Sequence, residues 1–224
     1  MNILITGGAS GLGRATAEAV EKEGWRPLVV DVRDPDQRFE HVTADLADRA
    51  QAERAVRDLA DRAGGLDAVV TAAGIDACGR LEDVPADDWE RVVEVNLLGT
   101  VSVVRAALPY LKRSRGRVVT CASTLGLRPL SDASAYSASK FGVVGFTRAL
   151  AIELRGEVGV TLLIPGGMRT AFFDGRDEQY RPGPEAGLND PGDVARTVVF
   201  ALGRPPGCEI RELVVCPDTE TSWP

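Results

Sequence analysis

The feature that most constrains the fold is a glycine-rich turn near the start of the chain. Residues 3–5 are apolar, as in a buried strand, and residues 15–21 have the apolar spacing of a helix. Gly7, Gly11 and Gly13 lie between them, where a Cβ would hinder a tight turn or the approach of a ligand. Such a turn directs free N–H groups and a helix dipole at one point, which suits a phosphate or pyrophosphate. The alternative is an ordinary strand-to-helix turn.

Two further observations favour a dinucleotide at this turn. The glycines lie between a strand pattern and a helix pattern, and Asp31 closes the next apolar run, residues 27–30. A carboxylate there accepts hydrogen bonds from the adenosine ribose and repels a 2′-phosphate, which predicts NAD and makes NADP less favoured. The turn lacks the Gly-Lys-Ser/Thr ending of a nucleoside triphosphatase loop, so ATP and GTP are disfavoured.

Composition limits the classes of function. A chain of 224 residues predicts one domain over 1–224, and a net charge of −7 argues against nucleic-acid or anionic-membrane binding. No apolar run reaches the roughly 18 residues of a membrane span. The four cysteines form no Cys-x-x-Cys pair and there is one histidine, so no metal site is predicted. We expect reduced thiols and a cytoplasmic protein without a signal peptide.

Strand and helix patterns alternate almost to the end of the chain. This predicts an α/β fold: a Rossmann-type doubly wound parallel sheet of about seven strands in a three-layer α/β/α arrangement. The predicted strands are residues 2–6, 27–31, 41–43, 66–71, 117–121, 160–164 and 212–215. The predicted helices are residues 12–23, 48–63, 86–112, 134–155 and 191–202, with Pro109 bending or breaking the end of the third. Residues 171–189 are predicted to form a surface loop.

A possible proton-transfer group follows the fifth predicted strand. Ser123 lies just after that strand, and Tyr136 and Lys140 lie one turn apart on the next helix. The reference pKa of tyrosine is about 10, and a neighbouring ammonium favours the tyrosinate. Ser123 would hold the substrate oxygen, so the set suits proton exchange with an alcohol or carbonyl. The alternative is an amphipathic helix with a solvated lysine, but Lys140 is one of three lysines in a chain that otherwise uses arginine.

Asn96 is a polar residue in an apolar helical run. It is either a hydrogen-bonded buried amide or a kink that holds a water molecule beside Lys140. The residues alone leave both interpretations open.

The chain resembles the short-chain dehydrogenase/reductase family over nearly its whole length. Residues 6–13 resemble the family's cofactor turn, and residues 71–74 resemble its Asn-Asn-Ala-Gly strand end with both asparagines replaced. Residues 165–170 resemble its Pro-Gly-x-x-x-Thr segment, which contacts the nicotinamide carboxamide. The four positions of its catalytic tetrad are matched by Asn96, Ser123, Tyr136 and Lys140.

The resemblance implies an NAD-dependent oxidoreductase that interconverts a secondary alcohol and a ketone. Tyr136 would be the general acid/base, Lys140 would lower its pKa and hold the nicotinamide ribose, Ser123 would orient the substrate oxygen, and Asn96 would anchor a relay water. The cofactor-binding residues implied are Gly7, Ser10, Gly11, Leu12, Gly13, Asp31, Asp45, Leu46, Ala72, Ala73, Gly74, Tyr136, Lys140, Pro165, Gly166, Met168 and Thr170. The other candidate function is a non-catalytic dinucleotide-binding regulatory protein on the same fold.

The resemblance also implies a homodimer or homotetramer built by pairing helices 86–112 and 134–155. The segment after Thr170 is short for the family, and its aromatic residues either cover the nicotinamide or pack within the loop; they are Phe172, Phe173 and Tyr180. Nearby arginines either meet an anionic substrate or are solvated on the surface, which we favour; they are Arg128, Arg169, Arg176 and Arg181.

Overall fold

A parallel sheet forms the centre of the computed structural model, which describes residues 1–35 and 38–220. In these residues seven strands pair in the order β3-β2-β1-β4-β5-β6-β7. The strands are β1 Asn2–Thr6, β2 Arg26–Asp31, β3 Glu40–Thr43, β4 Ala68–Thr71, β5 Arg117–Cys121, β6 Gly159–Pro165 and β7 Glu212–Val215. The predicted sheet is confirmed; residues 221–224 of the predicted domain 1–224 lie outside the described residues.

Helices cover both faces of the sheet. They are α1 Gly11–Lys22, α2 Arg49–Ala63, α3 Ala86–Val93, α4 Thr100–Ser114, α5 Ser134–Glu153 and α6 Pro191–Leu202. Buried side chains of α2, α4 and α5 pack in one apolar cluster, and those of α1 and α6 pack in another on the opposite face. Because both faces are covered, strands such as β4 are buried along their whole length and are nearly continuously apolar.

The strand register brings the carboxyl ends of the central strands to one edge. Thr6 at the end of β1 pairs with Thr71 at the end of β4, which pairs with Thr120 in β5. The strand order reverses between β1 and β4, and in open parallel sheets ligands bind in the crevice at such a point. The loops after β1, β2, β4, β5 and β6 therefore surround one crevice.

The helix predicted over 86–112 is divided by a π-helical segment. Segment Glu94–Gly99 separates α3 from α4 and contains Asn96. Pro109 was predicted to bend or break the end of this helix; it does not break it, because α4 continues through it to Ser114, and the bend stays a prediction. Pro109 is exposed, so the backbone carbonyl that loses its partner is on the solvent side.

The segment after β6 leaves the sheet and returns to it. The backbone N–H of Arg169 donates to the Asn189 carbonyl, and the N–H of Asn189 donates to the Gly167 carbonyl, both at 2.9 Å. Between these residues the chain forms two short 3-10 turns, Ala171–Phe173 and Glu178–Tyr180. This segment is therefore a loop anchored at both ends beside the crevice.

One apolar stretch passes the length and hydropathy criteria for a membrane span. Among the described residues it is Ala86–Ser114, and 56% of its most apolar window is buried inside the fold. Burial of this kind is also found in the core helix of a globular protein, so the stretch is weak evidence for a span.

Candidate active site

A cleft of about 1100 Å³ runs along the carboxyl edge of the sheet. Its wall includes the turn after β1, the loops after β2, β3, β4, β5 and β6, Arg91 of α3, and the first turns of α5. The predicted site residues line this cleft with two exceptions, Gly13 and Asn96. The structure thus brings most of the predicted residues to one place.

The turn after β1 forms a cradle that requires glycine. Gly7 has a φ of 75°, and a Cβ on it would lie 2.8 Å from the Ala73 backbone. A Cβ on Gly13 would collide with the Gly7 carbonyl oxygen. Ser10 precedes α1, and its side chain accepts no hydrogen bond from the first backbone N–H groups of the helix. The open backbone cradle at a helix N-terminus fits the pyrophosphate of a dinucleotide.

Asp31 lies at the end of β2 beside this cradle and is 7% exposed. Its Oδ2 accepts the backbone N–H of Ala9, and its Oδ1 accepts that of Arg33, each at 2.9 Å. The Arg33 guanidinium donates to the Ser10 Oγ at 2.7 Å and also lines the cleft. Arg33 was not predicted, and it brings a positive charge next to the carboxylate.

The far end of the cleft contains Asp45 and Leu46. The Asp45 Oδ1 accepts the backbone N–H of Ala47 at 3.0 Å, and its Oδ2 pairs with Arg91 of α3 at 2.9 Å. Burial alone raises the pKa of Asp45, but the Ala47 N–H and the Arg91 guanidinium together hold this pKa below its ordinary value. Arg91 lines the cleft and is a second residue that the sequence did not indicate.

Ser123, Tyr136 and Lys140 meet at the other end of the cleft. Lys140 is 4% exposed. Its ammonium group donates to the Cys121 carbonyl at 2.9 Å and lies 5.5 Å from the Tyr136 ring centroid. The Ser123 Oγ accepts the Leu125 N–H at 3.1 Å, and it lies close enough to Tyr136 to lower the pKa of the phenol. These three side chains can exchange a proton with an oxygen held between the serine and the tyrosine.

Burial is the largest influence on this group. It raises the pKa of Tyr136 above its ordinary value, and it lowers the pKa of Lys140. The Ser123 hydroxyl and the charge of Arg176 lower the pKa of Tyr136, and the electrostatic influence of Cys121 and Asp76 raises it. The resemblance assigns the lowering to Lys140, but the strongest lowering contributions come from Ser123 and Arg176.

Asn96 is 1% exposed and lies behind the cleft wall. Its Oδ1 accepts the Ile75 N–H at 2.8 Å, and its Nδ2 donates to the Ile75 carbonyl at 2.9 Å and to Ser139 Oγ at 3.0 Å. A Cβ on Gly74 would lie 3.5 Å from Asn96 Oδ1 and 3.6 Å from Lys140 Nζ. Asn96 is therefore a hydrogen-bonded buried amide in a π-helical segment, and its role in holding water stays a prediction.

Two aromatic residues of the loop after β6 lie near the tyrosine, and one of them contacts it. The Phe172 ring centroid lies 5.5 Å from that of Tyr136, and the Phe173 centroid lies 5.6 Å from that of Phe172. The Thr170 Oγ1 accepts the Phe172 N–H at 3.3 Å, which ties this turn to the end of the segment 165–170. Phe172 thus packs on Tyr136 as well as within its own loop.

Arg176 differs from the other loop arginines. Arg128, Arg169 and Arg181 are exposed, as expected. The Arg176 side chain is only 16% exposed and forms a 2.9 Å ion pair with Asp76 of the loop after β4. The interpretation of Arg176 as a solvated surface residue is therefore wrong: aromatic rings and a buried carboxylate surround it at the substrate end of the cleft.

Comparison with known proteins identifies the family. The family model described as short chain dehydrogenase matches residues 1–181. The chain belongs to the short-chain dehydrogenase family. An uncharacterised oxidoreductase of Staphylococcus epidermidis is 30% identical over 227 residues and covers 96% of each chain. The Thauera aromatica (2S)-[(R)-hydroxy(phenyl)methyl]succinyl-CoA dehydrogenase subunit BbsD is 33% identical over 218 residues, covering 88% of this chain and 87% of the relative.

Solved structures of short-chain dehydrogenases have the same fold. An alcohol dehydrogenase from Thermococcus sibiricus, complexed with 5-hydroxy-NADP, superimposes with a TM-score of 0.86 at 25% identity, covering 98% of this chain and 97% of the other. The ligand-free aldohexose dehydrogenase of Thermoplasma acidophilum gives a TM-score of 0.85 at 24% identity, over 96% and 92% of the two chains, and supports the fold alone. The predicted family is confirmed, and the protein is an oxidoreductase that acts on CH–OH groups.

Proposed function

We propose that this protein is an NAD-dependent oxidoreductase that interconverts a secondary alcohol and a ketone, with Tyr136 as the general acid/base. The observation that carries the proposal is the meeting of Tyr136, Ser123 and Lys140 at one end of a cleft whose middle is the glycine cradle. A non-catalytic regulatory protein would not require these three side chains together, so catalysis is the better interpretation.

The cleft residues fit a nicotinamide dinucleotide. Gly7, Gly11 and Gly13 leave room for the pyrophosphate at the N-terminus of α1, and Asp45 and Leu46 would flank the adenine. The nicotinamide end would be held by Lys140 of α5 and by residues at or just after the ends of β4 and β6, namely Ala72, Ala73, Gly74, Pro165, Gly166, Met168 and Thr170. When bound, the nicotinamide ring supplies or accepts the hydride.

The protein residues orient the substrate and move the proton. In alcohol oxidation the Tyr136 phenolate accepts the proton of the substrate hydroxyl, and Ser123 donates a hydrogen bond to the same oxygen. In ketone reduction the Tyr136 phenol returns the proton. The buried Lys140 ammonium would add to the stabilisation of the phenolate by Ser123 and Arg176, and Phe172 packs on the tyrosine ring.

The NAD preference is proposed from Asp31. Its buried carboxylate lies at the end of β2, where a 2′-phosphate would be repelled. Two observations favour NADP instead. The Arg33 guanidinium lines the same part of the cleft and would attract a 2′-phosphate, and the structure of the Thermococcus sibiricus alcohol dehydrogenase is complexed with 5-hydroxy-NADP. We give the Asp31 carboxylate more weight than Arg33 in the cofactor preference, because the carboxylate is buried and fixed by two backbone N–H groups, whereas Arg33 is exposed.

We also propose a domain organisation, an oligomeric state and a cellular location for the protein. Residues 1–224 would form one domain that acts on a small alcohol or ketone in the cytoplasm, without nucleic-acid or membrane partners. A homodimer or homotetramer would form through α4 and α5, because α5 exposes Phe141 at 44% and Ile152 at 66% on its outer side.

The test is a panel of secondary alcohols with NAD or NADP, followed by the absorbance of the reduced cofactor. We expect NAD-linked oxidation that accelerates as pH rises through the pKa of Tyr136, because the phenolate is the base, and reduction that slows over the same range. Binding of NADH without turnover of any alcohol or ketone in the panel would support the regulatory alternative.

A further inference from the structure

A buried ion pair joins two loops at the substrate end of the cleft. Arg176 Nη2, from the loop after β6, lies 2.9 Å from Asp76 Oδ2, from the loop after β4. The Asp76 side chain is 7% exposed, and its Oδ1 accepts the Ala77 N–H at 2.8 Å. The Cys78 thiol donates to its Oδ2 at 3.3 Å. Asp76 is therefore fixed to its own loop and offers a rigid anchor to the arginine.

Arg176 contacts the rings of two phenylalanines, one of which packs on the tyrosine. The Arg176 Cζ lies 4.7 Å from the ring centroids of both Phe172 and Phe173. Cation–π attraction acts at this distance and is stronger where water is excluded. Since Phe172 packs on Tyr136, a continuous line of contacts runs from Asp76 through Arg176 and Phe172 to Tyr136.

We propose that Arg176 is a positioning residue for the reaction: anchored by Asp76, it holds Phe172 against Tyr136, so that both charges of the pair lie at the tyrosine's end of the cleft. The proposal rests on the general acid/base role proposed for Tyr136. Arg176 itself would touch neither the hydride nor the transferred proton.

The electrostatic part follows from the charges around the tyrosine. Asp76 raises the pKa of Tyr136 and Arg176 lowers it, so in the intact pair the two effects oppose each other. Removing Asp76 would therefore lower the pKa of Tyr136, and removing Arg176 would raise it. The other titratable groups at this end of the cleft are Cys78, Cys121, Asp132, Lys140, Tyr180 and Arg181. Two of them also respond to the pair: Asp76 raises the pKa of Cys78 and of Lys140, and Arg176 lowers that of Cys78.

A purely structural latch predicts a different result. If the ion pair only joined the loop after β6 to the loop after β4, removing either partner would break the same contact. Asp76→Asn and Arg176→Met would then change KM in the same direction as each other, and stability likewise. The electrostatic role instead predicts pH displacements of opposite sign. The sign of the displacement therefore separates the two explanations.

The experiment compares Asp76→Asn, Arg176→Met and Arg176→Lys. For NAD-linked oxidation of 1-phenylethanol, the midpoint of the rising limb of kcat/KM against pH should move down in Asp76→Asn and up in Arg176→Met. We expect displacements of about 0.5–1 pH unit, below the roughly 1–3 units for charges in direct contact. Arg176→Lys keeps the charge, so its midpoint should return toward wild type, whereas KM stays raised because the planar stack is lost.

A second readout needs no substrate. The same displacements should appear in the ultraviolet titration of the Tyr136 phenolate in the NAD complex, measured as the difference from the same protein carrying Tyr136→Phe. Arg80→Met and Glu82→Gln provide matched controls, because they break an exposed ion pair in the same loop, and neither should move the midpoint.

Displacements of the same sign in Asp76→Asn and Arg176→Met, or none in either, would overturn the inference while leaving the role of Tyr136 intact. If Asp76→Asn does not fold, the two arginine variants test the inference alone. The midpoint of kcat/KM against pH should move up in Arg176→Met and return toward wild type in Arg176→Lys. If Tyr136→Phe alone retains full turnover, the proposed function itself fails.

Discussion

At the residue scale, the most demanding feature is a lysine buried at the substrate end of the cleft. Lys140 is 4% exposed, and its Nζ donates to a backbone carbonyl, that of Cys121. An ammonium buried in this way is costly, and burial lowers its pKa accordingly. A helix that needed only an amphipathic surface would place this residue in solvent, so the burial supports a functional lysine.

Lys140→Met should therefore separate stability from activity. We expect turnover to fall by about 10²-fold or more, because the phenolate loses its cation. The melting temperature should stay the same or rise, since an apolar side chain replaces a buried charge. Steady-state rates and thermal unfolding measure the two effects. The control is Lys112→Met, which removes an exposed lysine paired with Glu157 and should change neither greatly.

Asp31 gives a second prediction at this scale. Asp31→Ala should lower the ratio of NADPH to NADH dissociation constants by about 10-fold, because repulsion of the 2′-phosphate is lost and Arg33 remains. Cofactor fluorescence titration measures both constants. Asp34→Ala is the matched control, since this exposed carboxylate pairs with His41 outside the cleft lining. A wild type that already prefers NADPH would contradict the assignment of Asp31.

At the element scale, the turn from β1 into α1 does most to shape the cofactor site. Its glycines are needed for two different reasons, a positive φ at Gly7 and close backbone packing at Gly13. Both requirements are local, and the spacing of the glycines between a strand and a helix pattern was enough to predict them.

Gly13→Ala should abolish dinucleotide binding, because the methyl group would displace the Gly7 carbonyl and close the cradle. Calorimetric titration with NADH measures the loss. Gly183→Ala is the control, because a Cβ there meets no atom within 4 Å and the loop is exposed. Equal NADH affinity in Gly13→Ala and wild type would show that the cradle is not the binding site.

Other features of the elements lay beyond sequence reasoning. The pattern over 86–112 reads as one helix, because hydrophobic spacing does not reveal a π-helical insertion such as Glu94–Gly99. From the sequence alone, Pro109 is expected to disrupt the helix. The structure shows that it lies on the exposed side of α4, which continues through it. Arg176 and Asp76 lie far apart in sequence, so their pairing depends on how two loops meet, and an arginine in a polar loop is by default solvated.

At the scale of the whole molecule, the sheet order explains why the site lies where it does. The reversal between β1 and β4 opens the crevice that the glycine turn, the serine strand end and the tyrosine helix share. The alternation of strand and helix patterns predicted the parallel sheet. The family resemblance assigned the predicted site residues to one cofactor and substrate site. The sequence did not indicate Arg33 and Arg91, because each enters the cleft through a tertiary contact.

The proposed assembly makes a prediction at this scale. Phe141→Glu with Ile152→Glu should convert a dimer or tetramer into smaller species, because charges would face an apolar interface on α5. Light scattering after gel filtration measures the mass. Leu81→Glu, which changes an exposed apolar residue of the loop after β4, should leave the mass unchanged. A wild type that is monomeric throughout would rule out the proposed interface.

The central claim is tested most directly by the turnover of Tyr136→Phe, measured together with its NADH affinity. The substitution removes one oxygen and leaves the ring that packs on Phe172. We predict that kcat falls by about 10²-fold or more while the dissociation constant of NADH changes by less than about 3-fold. Wild-type turnover in this variant would contradict the assignment of the proton transfer to Tyr136.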